Sequence, residues 1–258
     1  MVHLQQLTGE EKILQARFQD AINAVRLKNQ MKFVGFLDLR GQQILKAVAQ
    51  AEGFTAWQLY GGYSGAERCV AGFFPDYIDA AEDQAHLFPA KAITARFRPQ
   101  DKLSHRDFLG SLMGLRIARE LTGDLLVGEG TAVLFVLATA FPLITSELTK
   151  VGRVGVSLSE GAEALEKVMP VIKPLSGTVN SQRLDAVVAF LTRLAREKAQ
   201  NLIRQELVKV DGQIRTDTAG SVEAGNILSV RGYGKYIIQS FDGITKKGRL
   251  RIAAGHYE

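Results

Sequence analysis

The stretch AREKAQNLIRQELVKVDG (195–212) sets Arg196, Lys198, Arg204 and Lys209 among apolar residues that recur at helical spacing. Guanidinium and ammonium groups on a rigid frame can hold phosphate oxygens, and the planar arginine fork can hold two at once. The same pattern also describes the solvated face of an ordinary amphipathic helix. Charge distribution favours the first reading. Residues 181–258 hold thirteen Lys and Arg against eight Asp and Glu, whereas residues 1–180 hold nineteen of each. The whole net charge of +5 therefore lies in the C-terminal segment. A neutral body carrying a basic module points to nucleic acid or an anionic surface as its partner.

Other chemistry finds little support. His3, His86, His105 and His256 are scattered, and Cys69 is the only cysteine, so neither a zinc site nor an intrachain disulfide is expected. The glycine-rich GGYSGAER (61–68) matches neither a nucleophile elbow nor a Walker A loop. It reads as a turn between strands, with Glu67 and Arg68 a minor candidate for a second contact site. VGEGTA (127–132) reads as a hairpin turn. Asp101, Asp107 and Asp124 form no spaced acid pair. No catalytic residue, metal or cofactor is expected.

The elements that must position the cations follow from periodicity. Length allows one to three domains, and 46% hydrophobic residues suffice for a sizeable core. The start, MVHLQQLTGEEKILQ, lacks the layout of a signal peptide, and the most apolar run (131–144) is too short to span a bilayer. With its single cysteine, the chain is expected in the cytoplasm, without membrane insertion and as a monomer. Helices are expected at 10–29 and 39–52, and strands at 54–61 and 69–74. A strand at 92–98 precedes a helix at 104–120, with Ser104 as N-cap and Asp107 in capping-box position. Strands at 124–128 and 132–136, a helix at 139–151 and a strand at 153–159 follow. This alternation indicates a ferredoxin-like or RRM-like α+β sandwich whose strand order stays open. The proline-containing segment 168–180 is the expected linker. The domains are then 1–80, 81–167 and 181–258.

In the basic module, Leu184, Val187, Val188 and Leu191 form the buried stripe of one helix (182–195), and 196–206 forms a second. LVKVDGQI (207–214) alternates as a strand and turns at Asp211-Gly212. NILSVRGYGKYIIQ (226–239) is strand-like on both sides of a Gly-Tyr-Gly bend. RLDAVVAFL, REKAQNLI, VKVDGQ and VEAGNILSVRGYGK, in this order, resemble the S4 RNA-binding domain. The pattern departs from the usual S4 sequence at Ala195 (commonly Ser), Glu206 (Gly), Asp211 (Asn) and Asn226 (Asp). GGYSGAERCVAGFFPDY (61–77) and SHRDFLGSLMGLRIARELTGDLLV (104–127) resemble the two signature stretches of YlmH-type proteins. That likeness covers nearly the whole chain.

The resemblance implies an α+β protein with an N-terminal helical and strand region, an RRM-like middle domain and a C-terminal S4 domain. It implies RNA binding without catalysis, on ribosomal RNA of the large subunit carrying obstructed peptidyl-tRNA in ribosome quality control, with tRNA as a further candidate partner. An S4-type surface meets structured RNA mainly through phosphates. The residues expected to do so are Arg183, Arg196, Lys198, Arg204 and Lys209, with Arg231 and Lys235 completing the path and Tyr233 placed to stack on a base. Two rival readings are an RNA-modifying enzyme using S4 as its targeting arm and, from the photosystem II S4-domain label given to cyanobacterial and plastid members, an adaptor in photosynthetic assembly that binds protein rather than RNA.

Overall fold

The computed structural model describes residues 7–246 and 248–257. Residues 1–6, with His3 and the first part of the start read above for a signal peptide, lie outside the described residues. The chain forms two compact units, Met1–Met169 and Pro170–Glu258. Among the described residues no helix is long and apolar enough to cross a membrane.

The first unit opens with α1 (Gly9–Lys28), β1 (Lys32–Leu37), α2 (Leu39–Ala51), β2 (Trp57–Tyr60) and β3 (Cys69–Phe73). Thr8 and Glu11 close a reciprocal capping box at the start of α1, and Asp38 caps α2 by accepting from Gly41 N–H at 2.8 Å. The strands form an antiparallel sheet in the order β1-β3-β2. Phe18, Ile22, Ile44 and Leu45 from the helices bury against Phe73.

The same unit continues through β4 (Ala90–Arg96), α3 (His105–Gly114), β5 (Thr122–Gly128), β6 (Thr131–Leu137), α4 (Phe141–Glu147), β7 (Lys150–Val151), β8 (Val154–Gly155), β9 (Ser157–Glu160) and α5 (Leu165–Val168). The four longer strands form an antiparallel sheet in the order β5-β6-β4-β9. The Asp107 carboxylate accepts from both the N–H and the hydroxyl of Ser104. α3 is shorter than expected: Arg116 turns into the left-handed region at φ 58°, and the chain leaves the helical path there. α4 likewise stops early, because Gly152, also left-handed, turns the following residues into the β7–β8 hairpin.

Both faces of this sheet are covered. Ile93, Leu134 and Val136 on one face pack with Phe108 and Leu112 of α3 and Ile144 of α4. Val133 and Phe135 on the other pack with Phe36, Val70, Phe74 and Phe88. Tyr63 stacks on Phe135, with ring centroids 4.8 Å apart.

The second unit comprises β10 (Ile172–Val179), α6 (Leu184–Thr192), α7 (Arg196–Arg204), β11 (Val208–Val210), β12 (Gln213–Ile214), β13 (Ile227–Val230), β14 (Gly234–Ile244) and β15 (Leu250–Tyr257). Its six strands run antiparallel in the order β10-β15-β14-β13-β11-β12. Residues 172–179, read from sequence as linker, thus form an edge strand, where Pro174 is tolerated because the edge leaves one row of N–H groups unpaired. Val187, Val188 and Leu191 of α6 and Ala199 and Ile203 of α7 bury against Val208, Leu228, Val230 and Ile252. The molecule as a whole is a mixed α+β protein with several antiparallel sheets.

Candidate nucleic-acid interface

The second unit is organised around one carboxylate. Asp185, in the first turn of α6, has no exposed side-chain surface, yet it faces two arginines that are 42% and 46% exposed, Arg183 and Arg196. Arg183 donates to it from Nε at 3.2 Å and from a terminal nitrogen at 3.1 Å. Arg196, across the α6–α7 turn, donates in the same two-pronged way at 3.1 and 3.0 Å, and Gln200 Nε2 adds a bond at 2.8 Å. Burial alone would raise the Asp185 pKa. The bonds from Arg183, Gln200 and Arg196, with the Arg196 charge, outweigh it and bring the group to about 2. The carboxylate therefore stays charged and orients two guanidiniums whose outer edges face solvent. The backbone braces this corner, since Asp185 N–H donates to Thr218 O and Leu184 N–H to Gly220 O.

The remaining candidates fall into separate places. Lys198 is exposed on α7. Arg204, exposed in the last turn of α7, lies near the β13–β14 turn, because Arg231 N–H bonds to Leu207 O at 2.9 Å. That turn carries exposed Arg231 and Tyr233, the latter 39% exposed. Lys209 is paired across strands with Ser229, and Ser229 with Lys235. Direct cross-strand partners share a face, and the alternate residues Val208, Val210 and Val230 are core, so Lys209 and Lys235 project from the side away from α6 and α7. Lys235 Nζ sits 5.2 Å from the Tyr257 ring centre on that side. The structure thus joins Arg183 to Arg196 and brings Arg231 towards Arg204. It sets Lys209 and Lys235 on a different face.

The departures from the S4 pattern have visible consequences. Ala195 is the N-cap of α7 and makes no side-chain cap bond, so one orphan helix N–H loses the acceptor that Ser would supply. Glu206 and Asp211 both occupy left-handed backbone, at φ 61° and 48°. In the RGYGK bend both glycines have positive φ, and at Gly234 a Cβ would also collide with the His256 ring.

In the first unit, GGYSGAER is a structural lock. The Asp124 carboxylate accepts from Tyr63 OH and from the N–H groups of Glu67 and Arg68. The Arg68 guanidinium spends its donors on the carbonyls of Phe36, Arg119 and Thr122. Burial, then the Asp124 charge, push the Tyr63 pKa far up, and the same two causes raise the Cys69 thiol to about 11. These groups offer neither a nucleophile nor a proton shuttle near neutral pH. Among the described residues, no group of three or more His, Cys, Asp or Glu side chains is placed to hold a metal ion.

Sequence reasoning missed Asp185, which reads as one polar residue at the start of an apolar stripe. Its only signal was position, immediately after Arg183 and Leu184 in RLDAVVAFL.

Known protein families match two stretches of the chain. The model described as "S4 domain" matches residues 182–228, which contain α6, α7 and the strands β11 and β12. The model described as "Putative RNA-binding domain in YlmH" matches residues 94–164. These matches define the class: an RNA-binding protein with an S4 domain. The ribosome-associated protein quality control protein P2 of Bacillus subtilis (strain 168) is 36% identical over 232 residues, 88% of each chain. The chain belongs to the YlmH family, to which its two signature stretches also point. A solved structure of the cell division protein ylmH from Streptococcus pneumoniae has a TM-score of 0.54 at 22% identity, covering 65% of this chain and 99% of that one. At that identity the likeness speaks for the fold alone.

Proposed function

We propose that this protein is a non-catalytic, cytoplasmic RNA-binding factor that docks on ribosomal RNA of the large subunit, where obstructed peptidyl-tRNA must be handled in ribosome quality control. The observation that carries this reading is the pair of half-exposed guanidiniums, Arg183 and Arg196, held rigid by one buried carboxylate inside the segment that matches the S4 model. A guanidinium with its orientation already fixed loses little freedom when it meets a phosphate. The printed name of the Bacillus subtilis relative supports the ribosomal setting.

The chain reads best as three domains, 1–80, 81–167 and 181–258, with β10 appended to the last. The middle one is RRM-like: its order of strand, helix, two strands, helix, strand and its sheet order β5-β6-β4-β9 suit that fold. An RRM stacks RNA bases on an open sheet face, and here Tyr63, Phe74 and Phe88 cover that face. RNA contact is therefore assigned first to the S4 unit, through Arg183, Arg196, Lys198, Arg204, Arg231 and Tyr233, with Lys209 and Lys235 a separate contact.

Sedimentation with purified bacterial large subunits tests the function. The protein is expected to pellet with the particles at low salt and to be released steeply as salt rises. Failure to pellet at low salt would overturn the proposal. For the surface, Arg204→Glu with Arg231→Glu is the suitable double variant. Both residues are exposed and form no ion pair among the described residues, whereas a glutamate at position 196 would confront Asp185. Wild-type affinity in the folded double variant would remove this surface from the interface.

A further inference from the structure

We propose that a cleft between α6, β10 and the β14–β15 hairpin is a second phosphodiester-binding pocket for RNA, which shares Arg196 with the contacts assigned above and adds Arg193 and Arg249 to them. The inference rests on the RNA-binding reading and extends it. The cleft has a volume of about 420 Å³, and its lining includes Thr178, Asn180, Phe190, Arg193, Arg196 and Arg249. No Asp or Glu is among its lining residues. Of its three arginines only Arg196 is matched by an acid, and it shares Asp185 with Arg183. Arg193 and Arg249 form no ion pair among the described residues. The nearby acid Asp242 lies in a neighbouring cleft with Arg251. The result is a concave site with uncompensated positive charge, which suits an anion that supplies several acceptor oxygens.

Two features place the cations at the cleft. Arg249 is fixed over β10, donating to Thr178 O at 2.9 Å, while its own N–H bonds to Thr245 Oγ1 at 3.0 Å. One terminal nitrogen is thus anchored, and the rest of the fork is available to the cleft. Arg193 ends α6 in the left-handed conformation, φ 57° and ψ 29°, with its N–H on Ala189 O and Phe190 O. That position favours glycine, so an arginine there carries a backbone cost that glycine would not. Phe190, partly buried, gives the cleft an apolar wall on which a ribose can rest. Arg249, Thr178 and Asn180 all lie outside residues 182–228, so the pocket adds to the S4 segment an element supplied by its flanking strands.

The chemistry commits the pocket to a backbone phosphate of RNA. The test uses the full chain and purified bacterial ribosomal RNA, with affinity measured by filter binding across a range of KCl concentrations. Arg193→Gly is the informative variant, because it removes the cation while relieving the backbone. It is expected to unfold at the same temperature as wild type or higher, yet to bind RNA roughly 3- to 10-fold more weakly. Its log–log salt slope is expected to be shallower by about 0.9, the loss of one phosphate contact. Arg249→Gln is expected to lower affinity and slope in the same direction. If wild type binds and both variants bind with its affinity and slope, the pocket is overturned and the function stands. If wild type binds no RNA, the underlying reading fails and the pocket fails with it.

Discussion

The carboxylate of Asp211 accepts a hydrogen bond of 2.8 Å from Asn226 Nδ2, and its other oxygen accepts one of 2.8 Å from Ile227 N–H. These are two of the positions at which the chain departs from the S4 pattern, Asp standing for Asn and Asn for Asp. The exchange is reciprocal: donor and acceptor have swapped ends of one bond that ties the 211–212 turn to the start of β13. Asn226→Asp alone would set two carboxylates against each other and is expected to cost roughly 2 kcal/mol. Asp211→Asn added to it restores an amide–carboxylate pair, and the double variant should return to within about 0.5 kcal/mol of wild type. Urea unfolding of the four proteins measures the coupling. Additive losses would show that the two changes arose independently.

Glu206 is a departure of another kind, with no ion pair or side-chain hydrogen bond among the described residues to offset it. It holds left-handed backbone at φ 61° directly after α7, where glycine is free of the Cβ penalty, and its charge lies two residues from Arg204. Glu206→Gly is expected to stabilise the fold by about 1 kcal/mol. Loss of the negative charge is expected to tighten binding to ribosomal RNA several-fold at low salt, with the gain fading as salt rises. Thermal unfolding and salt-dependent binding read the two effects separately.

Much of this architecture was legible in the sequence, and the gaps have physical causes. α1, α2, α6 and α7 each bury one stripe, so their periodicity identifies them. β1 is a short run, KFVGFL, whose last four residues are all buried, so it lacks the alternation that marks a half-exposed strand. β10 contains Pro174 and Gly177, which read as linker, and is a strand only because it lies at a sheet edge. β15, with LRIAAGHY, is rich in small residues and depends on partners far away in sequence. The cations were visible as composition. Their division between two faces of the second unit was not, because it depends on the register of β11, β13 and β14. Asp185 and Arg196 are eleven residues apart and meet only when α6 and α7 fold back on each other.

The signature GGYSGAER predicts a stability effect instead of a binding one. Gly62 has φ 100°, and a Cβ there would strike the Phe135 ring that Tyr63 covers. Gly62→Ala therefore combines a forbidden backbone with a clash in the core and is expected to destabilise the protein by about 2–4 kcal/mol. Chemical unfolding followed by Tyr and Trp fluorescence measures it. A variant as stable as wild type would mean that the loop does not anchor the covered sheet face.

Asp185 links the interface to pH. Its pKa is about 2 in the folded chain against an ordinary value of 3.8. A carboxyl group with a depressed folded pKa contributes stability that is complete above its unfolded pKa and declines as pH falls through the folded one. The contribution should hold above about pH 5 and decay between about pH 4 and 2. It is worth roughly 1–2 kcal/mol once the solvent exposure of both arginines is discounted. Asp185→Asn abolishes this term: the variant is expected to be less stable than wild type at pH 7, with the gap closing as pH approaches 2. It also leaves Arg183 and Arg196 without their anchor, so affinity for ribosomal RNA at pH 7 should fall although no positive charge has been removed. A variant that gains affinity, as simple loss of a negative charge would predict, would show that Asp185 screens the two guanidiniums instead of orienting them.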